Sequence, residues 1–153
     1  MFKLRPYFRN TGGKKRDSSP EVSCYQNRGD SATFVGGCMR DWVSLQKRYL
    51  RDELPVRLGG LAANLARVKS FSDHPDHRDI VKNLLEESKF FIEWTAPDAG
   101  VELQADLAEL QLQLACWQLN WKNIWDDPVQ RAAVAGKARI WSEWVLERSG
   151  LLR

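Results

Sequence analysis

The stretch LQADLAELQLQLACWQLNWKNIW, residues 103–125, decides the fold. Leu103, Leu107, Leu110, Leu114, Trp117, Trp121 and Ile124 recur at steps that alternate mainly between four and three. At about 100° per residue they superimpose into one stripe of a helix. Half a turn away, Ala105, Ala108, Leu112, Ala115, Cys116 and Leu119 form a second stripe, small apart from its two leucines. Gln104, Gln111 and Gln118 fill one flank, with Asp106, Glu109 and Gln113 completing the polar positions. Apolar rows on two opposite sides predict a helix packed between neighbours, within its own chain or across a subunit seam.

Working outward from that helix, the flanking segments are helical too. Asp127-Pro128-Val129-Gln130 has an N-cap acid, a proline suited to the first helical position and a glutamine at the third, a capping-box-like start. So short a connector makes the helices on either side of it antiparallel neighbours. The helix that follows, to about Arg148, presents Val129, Ala133, Gly136, Ile140 and Trp144 as its expected buried row. Val134, Ala138, Trp141 and Val145 widen that row, and Gly150 is a natural stop. Upstream, a helix from about Asp76 to Trp94 buries Ile80, Val81, Leu84, Leu85, Phe91 and Ile92, with Phe90 falling on its polar side. Asp98 is positioned to cap the central helix. Pro55 opens a further helix to about Phe71, and Gly59-Gly60 inside it marks a bend or a close approach of two helices. A shorter leading helix from Asp41 gathers Trp42, Leu45 and Tyr49. The expected architecture is all-α: a bundle of four main helices plus a short leading helix, spanning residues 39–153.

Residues 1–38 differ in kind. They hold Gly12-Gly13, Ser18-Ser19-Pro20 and Gly36-Gly37 without sustained periodicity, the pattern of a poorly ordered segment. Met39 stands where the composition changes, so the upstream stretch reads as an extension or as preceding an alternative start. Charge follows the same division. Residues 1–51 carry eleven Lys/Arg against four acids, a net +7, whereas the remainder has twelve against sixteen, a net −4. A basic tail on a mildly acidic body suits an acidic partner. Lys14, Lys15 and Arg16 are the candidate phosphate contacts in a nucleic-acid reading, supported by aromatics interleaved among the bases.

Chemistry is sparse. Both histidines, His74 and His77, lie in Asp73-His74-Pro75-Asp76-His77-Arg78-Asp79, the one metal-like cluster. The acids and proline there are equally what a helix start wants, and no third and fourth ligands stand out. No metal or other cofactor is expected. The acid pairs Glu86-Glu87, Asp52-Glu53 and Asp126-Asp127 are adjacent, so on a helix their carboxylates diverge. No nucleophile has a spaced histidine and no phosphate loop follows a strand, which leaves a non-enzymatic expectation. Three cysteines, Cys24, Cys38 and Cys116, form no metal-type spacing and fit a reducing compartment. No apolar run approaches a membrane span and the start lacks a secretory core, so cytoplasm is the expected location.

All seven tryptophans lie beyond residue 41. Most are expected to fill the core, and Trp117, Trp121 and Trp125 at i, i+4, i+8 are also spaced to line a site for a flat aromatic or pigment-like ligand. Trp is enriched among interface anchors, and Phe90, Trp94, Trp125 and Trp141 are the candidate partner-binding residues. The resulting functional expectation is an interaction or regulatory module that binds a protein partner and is able to form a homodimer. The alternative is a nucleic-acid-associated protein acting through its tail.

The segments Leu54-Pro55-Val56-Arg57-Leu58-Gly59-Gly60, Ser70-Phe71-Ser72-Asp73-His74-Pro75, Glu87-Ser88-Lys89-Phe90-Phe91-Ile92-Glu93-Trp94 and Trp117-Gln118-Leu119-Asn120-Trp121 resemble small, uncharacterised helical proteins of cyanobacteria. The resemblance runs from about Leu54 to Leu152. It implies a helical fold and that setting, and no particular activity or site residue.

Overall fold

The computed structural model describes residues 40–152. Among them are six α-helices and no strand: α1 Trp42–Tyr49, α2 Leu54–Phe71, α3 Arg78–Thr95, α4 Val101–Leu119, α5 Trp121–Asp126 and α6 Pro128–Ser149. Short 3-10 turns at Pro75–His77 and Ala96–Asp98 lead into α3 and out of it. The proposed tail residues Lys14, Lys15 and Arg16 lie outside the described residues.

Local chemistry sets the helix ends. Asp41 caps α1, its carboxylate accepting from Ser44 N at 3.0 Å. Pro55 occupies the first turn of α2, where a missing N–H is harmless. Asp127 caps α6 as its sequence context predicts, accepting from Val129 N at 2.9 Å and from Gln130 Nε2 at 3.1 Å. Gly150 closes α6 in the left-handed conformation at φ 74°, which a side chain disfavours. Asp98 does not cap α4, which starts from Gly100 without a side-chain cap. Its carboxylate turns to Arg57 Nη2 at 2.8 Å, a stronger partner than a backbone N–H.

The most intimate seam is between α2 and α6. Ser142 Oγ donates to Ala62 O at 2.7 Å, and Gly59 sits against the Leu151 side chain, so the two helices run antiparallel. Small residues make this possible: Gly59, Ala62, Ala135 and Ala138 leave room for close backbone approach. Gly59-Gly60 therefore serves close packing, within an uninterrupted helix. On its other side α2 meets α3, and α3 runs antiparallel to α4, with Lys89 Nζ donating to Gln118 Oε1 at 2.9 Å and Gln111 Nε2 to Glu93 Oε1 at 3.1 Å. Leu58, Leu61, Leu65, Val68, Val81, Leu85, Leu107, Leu110, Leu114, Trp117, Ile124 and Val145 are the largest fully enclosed side chains.

Three expectations are corrected. The helix over 103–125 is broken at Asn120, which takes φ −101°, ψ 18° and donates from both its backbone N and its Nδ2 to Cys116 O. The amide side chain competes for that carbonyl and ends the helix, a local habit of Asn. On the second apolar side of α4, Leu112 and Leu119 face solvent, whereas Cys116 is buried and held in a disulfide, so the expected cover on both sides is met only in part among the described residues. On α6 the outer row is inverted: Val129, Ala133, Gly136 and Ile140 are exposed, and Val134, Ala138, Trp141 and Val145 enter the core. The two rows lie about 100° apart, and the packing of α6 on α2 turns inward the row that carries Trp141 and Val145.

Candidate interaction surface

The inner row of α4 fixes the direction of everything else on that helix. With Leu107, Leu110, Leu114 and Trp117 buried, the opposite side must point outward. There Val101, Ala105, Ala108, Leu112, Ala115 and Leu119 follow one another at steps of four, three, four, three and four. Val101 is 81% exposed, Leu112 66% and Leu119 78%. This strict seven-residue repeat is the spacing that keeps a seam facing a second helix laid alongside. Alternation of large and small residues gives knobs at Val101, Leu112 and Leu119, and shallow hollows over the three alanines.

The two flanks of the row differ. Gln111 and Gln118 bond to α3, and Gln104 to the turn that follows it. Gln104 Nε2 donates to Ala96 O at 2.9 Å and to Ala99 O at 3.0 Å, while Gln111 and Gln118 make the bonds to Glu93 and Lys89 given above. The remaining polar positions include Glu102, Asp106 and Glu109, and α4 has no lysine or arginine. None of the three acids forms an ion pair among the described residues. The exposed face is thus apolar along its centre and negative beside it.

Of the four residues expected to contact a partner, the structure brings two together. Phe90 lies 5.6 Å from Trp94 and 4.3 Å from Trp42 between ring centroids, a half-buried ladder on α1 and α3. Beneath it Tyr49 stacks on Phe91 at 4.1 Å, and its hydroxyl donates to Arg57 O at 2.7 Å with Thr95 Oγ1 3.0 Å away. Burial pushes the Tyr49 phenol up to about 12, against the hydrogen bond with Thr95. Buried Arg57 donates to Trp94 O at 3.2 Å as well as to Asp98, tying the ladder to the turn after α3. Phe90 is thus partly covered by α1, a packing that helical periodicity within α3 could not reveal.

The other two lie elsewhere, in the core. Trp125 is buried, donates from Nε1 to Pro75 O at 2.7 Å and carries the Arg131 guanidinium 5.5 Å above its ring. Trp141 is buried with Trp144 edge-on at 5.5 Å. Trp117 and Trp121 are likewise enclosed, and the former is 1% exposed. The rings of His74 and His77 meet edge-on at 5.3 Å, and His77 also abuts Phe71. Among the described residues no group of three or more His, Cys, Asp or Glu side chains is placed to hold a metal ion. Nor is any helix of the described residues long and apolar enough to cross a membrane. Val101 escaped the sequence reading, although its four-residue step before Ala105 was the available signal. No protein-family model, curated protein or solved structure matches this chain.

Proposed function

We propose that this protein is a non-enzymatic interaction module that receives a basic amphipathic helix of a protein partner along the outer face of α4. One observation carries the reading: six apolar residues at heptad spacing, three of them large and mostly exposed, on a helix with three acids and no base. A helix-in-groove partner is recognised by such anchors at i, i+3, i+4 and i+7. Its apolar positions would sit over Ala105, Ala108 and Ala115, and its lysines or arginines beside Glu102, Asp106 and Glu109. The Phe90–Trp94 ladder, half-covered by Trp42, serves as packing for α1 in this reading.

The test uses a defined probe, a fluorescent peptide of four heptads with Leu at the a and d positions and Lys at e and g. Saturable binding is expected by anisotropy, weakened more than tenfold by Leu112→Lys together with Leu119→Lys. Ile140→Lys, on the outward row of α6, should leave it unchanged. Equal binding to the three proteins, or none to any of them, overturns the reading.

A further inference from the structure

A second outward row, on α6, matches the one on α4. Val129, Ala133, Gly136 and Ile140 follow one another at steps of four, three and four, the same steps that separate Val101, Ala105, Ala108 and Leu112. The sizes agree as well: a large side chain at each end and two small positions between, an order that reads alike in either direction. Val129 is 63% exposed and Ile140 49%, and nothing lies within 4 Å of a Cβ placed on Gly136. The inner rows of both helices belong to one core, and both outer rows stay uncovered by each other within a single chain.

Charge sets the two rows apart. From Val101 to Leu112 stand Glu102, Asp106 and Glu109 and no base, whereas from Val129 to Ile140 stand Arg131, Lys137 and Arg139 and no acid. Arg131 is committed to its own chain, donating to Trp125 O at 2.8 Å. Lys137 forms no ion pair among the described residues. Arg139 has an exposed pair with Glu143 at 3.1 Å, one turn on, of the kind that contributes little. At about 100° per residue, Lys137 just after Gly136 and Arg139 just before Ile140 stand on opposite flanks of the row.

We propose that the outer row of α6 in a second copy of this chain docks on the outer row of α4, so that copies join head to tail. The inference rests on the reading of α4 as the receiver of a basic amphipathic helix, and it names that helix. Ala105 and Ala108 facing Ala133 and Gly136 let the two backbones approach closely, while the large residues close both ends of the contact. Pairing α4 with its own copy would set acids against acids, and α6 with its own copy bases against bases. The mixed pair opposes unlike charges. Because it joins two different faces, each added copy still offers a free row, and growth does not stop at two. At 1.5 Å per residue and roughly 10 Å width, a contact along the 19-residue α4 buries roughly 560 Å² over both partners. Stable complexes bury about 1,200 Å² or more, so this one is weak and reversible. It belongs to protein concentrations on the order of 0.1–1 mM, and at the micromolar concentrations of a peptide titration the chain is single.

Sedimentation equilibrium of the full chain, from about 0.02 to 1 mM, tests the contact. The weight-average mass of the wild type is expected to climb to that of two chains and beyond. The Leu112→Lys, Leu119→Lys double variant and the Ile140→Lys variant should each keep the mass of one chain. Mixed in equal amounts, these two should rise toward the mass of two chains and stop there, since one supplies an intact α6 row and the other an intact α4 row. Such complementation also shows that both variants are folded. A wild type that keeps the mass of one chain, a variant that associates alone as the wild type does, or a mixture that stays at one chain overturns the proposal. Saturable binding of the heptad peptide to a wild type that does not self-associate overturns the head-to-tail contact and leaves the α4 reading standing; absence of peptide binding as well overturns both.

Discussion

Leu112 and Leu114 are two residues apart on one helix, and shortening each to alanine should have very different consequences. Leu114 is completely enclosed. Removing its three terminal carbons forfeits about 0.8 kcal/mol per carbon of burial, roughly 2.4 kcal/mol. The cavity left in a core that only partly relaxes adds about another 1 kcal/mol, so Leu114→Ala should cost about 3.5 kcal/mol. Leu112 is 66% exposed, so only about a third of the transfer term applies, about 0.8 kcal/mol. The better helix propensity of alanine returns a few tenths, for a net cost near 0.5 kcal/mol. Urea unfolding followed by circular dichroism reads both, with the slope m unchanged so that midpoint shifts report stability alone. Equal costs for the two variants would refute the assignment of α4's inner and outer sides, and with it the surface on which the functional reading stands.

Other perturbations test other parts of the structure. Gly136 lies inside α6 with nothing within 4 Å of an added Cβ, so Gly136→Ala should stabilise by about 1 kcal/mol in thermal or urea unfolding. Gly59→Ala should gain less, because its Cβ would lie 2.7 Å from the Leu151 side chain, which must swing aside. Tyr49, with its phenol raised to about 12, contributes stability that is complete below pH 10 and is lost as pH rises through about 12. Tyr49→Phe should therefore flatten the alkaline limb of the stability profile while lowering stability at neutral pH through the lost hydroxyl bond. Asp127 is held below its ordinary value by the Val129 N–H and then by the Gln130 amide. Its contribution is present above the usual carboxylate range and is lost as pH falls through the lowered value. Asp127→Ala should lower the melting temperature at neutral pH, by a difference that disappears in strong acid.

Much of the fold was legible because it rests on local pattern. The ends of α2 and α6, the turn at Ala96–Asp98 and the buried row from Leu107 to Ile124 all follow from periodicity and capping chemistry. What escaped depends on tertiary competition. Asn120 could continue or end a helix, and its non-helical backbone, with Nδ2 turned back onto Cys116 O, makes it an end. On α6 two candidate rows of similar apolar content overlap, and the choice belongs to the geometry of α2 rather than to α6 itself. Asp98 had two uses open to it, a helix cap or an ion pair, and the guanidinium of Arg57 sits 41 positions earlier in the chain. The α4 surface was half legible. Its second row was visible from residue 105 onward, but whether it met a neighbour or the solvent depends on how many helices pack around it.

The bond from Ser142 to Ala62 joins positions 80 apart, and this has a bearing on how the chain comes to be folded. During synthesis α2 and α3 leave the ribosome before α6, so the glycine and alanine side of α2 has no lid until α6 arrives. Long-range closure of this kind slows folding. A nascent chain stalled just before Ser142 would carry a helical pair with its main seam unsealed, a natural substrate for holding chaperones and for proteolysis.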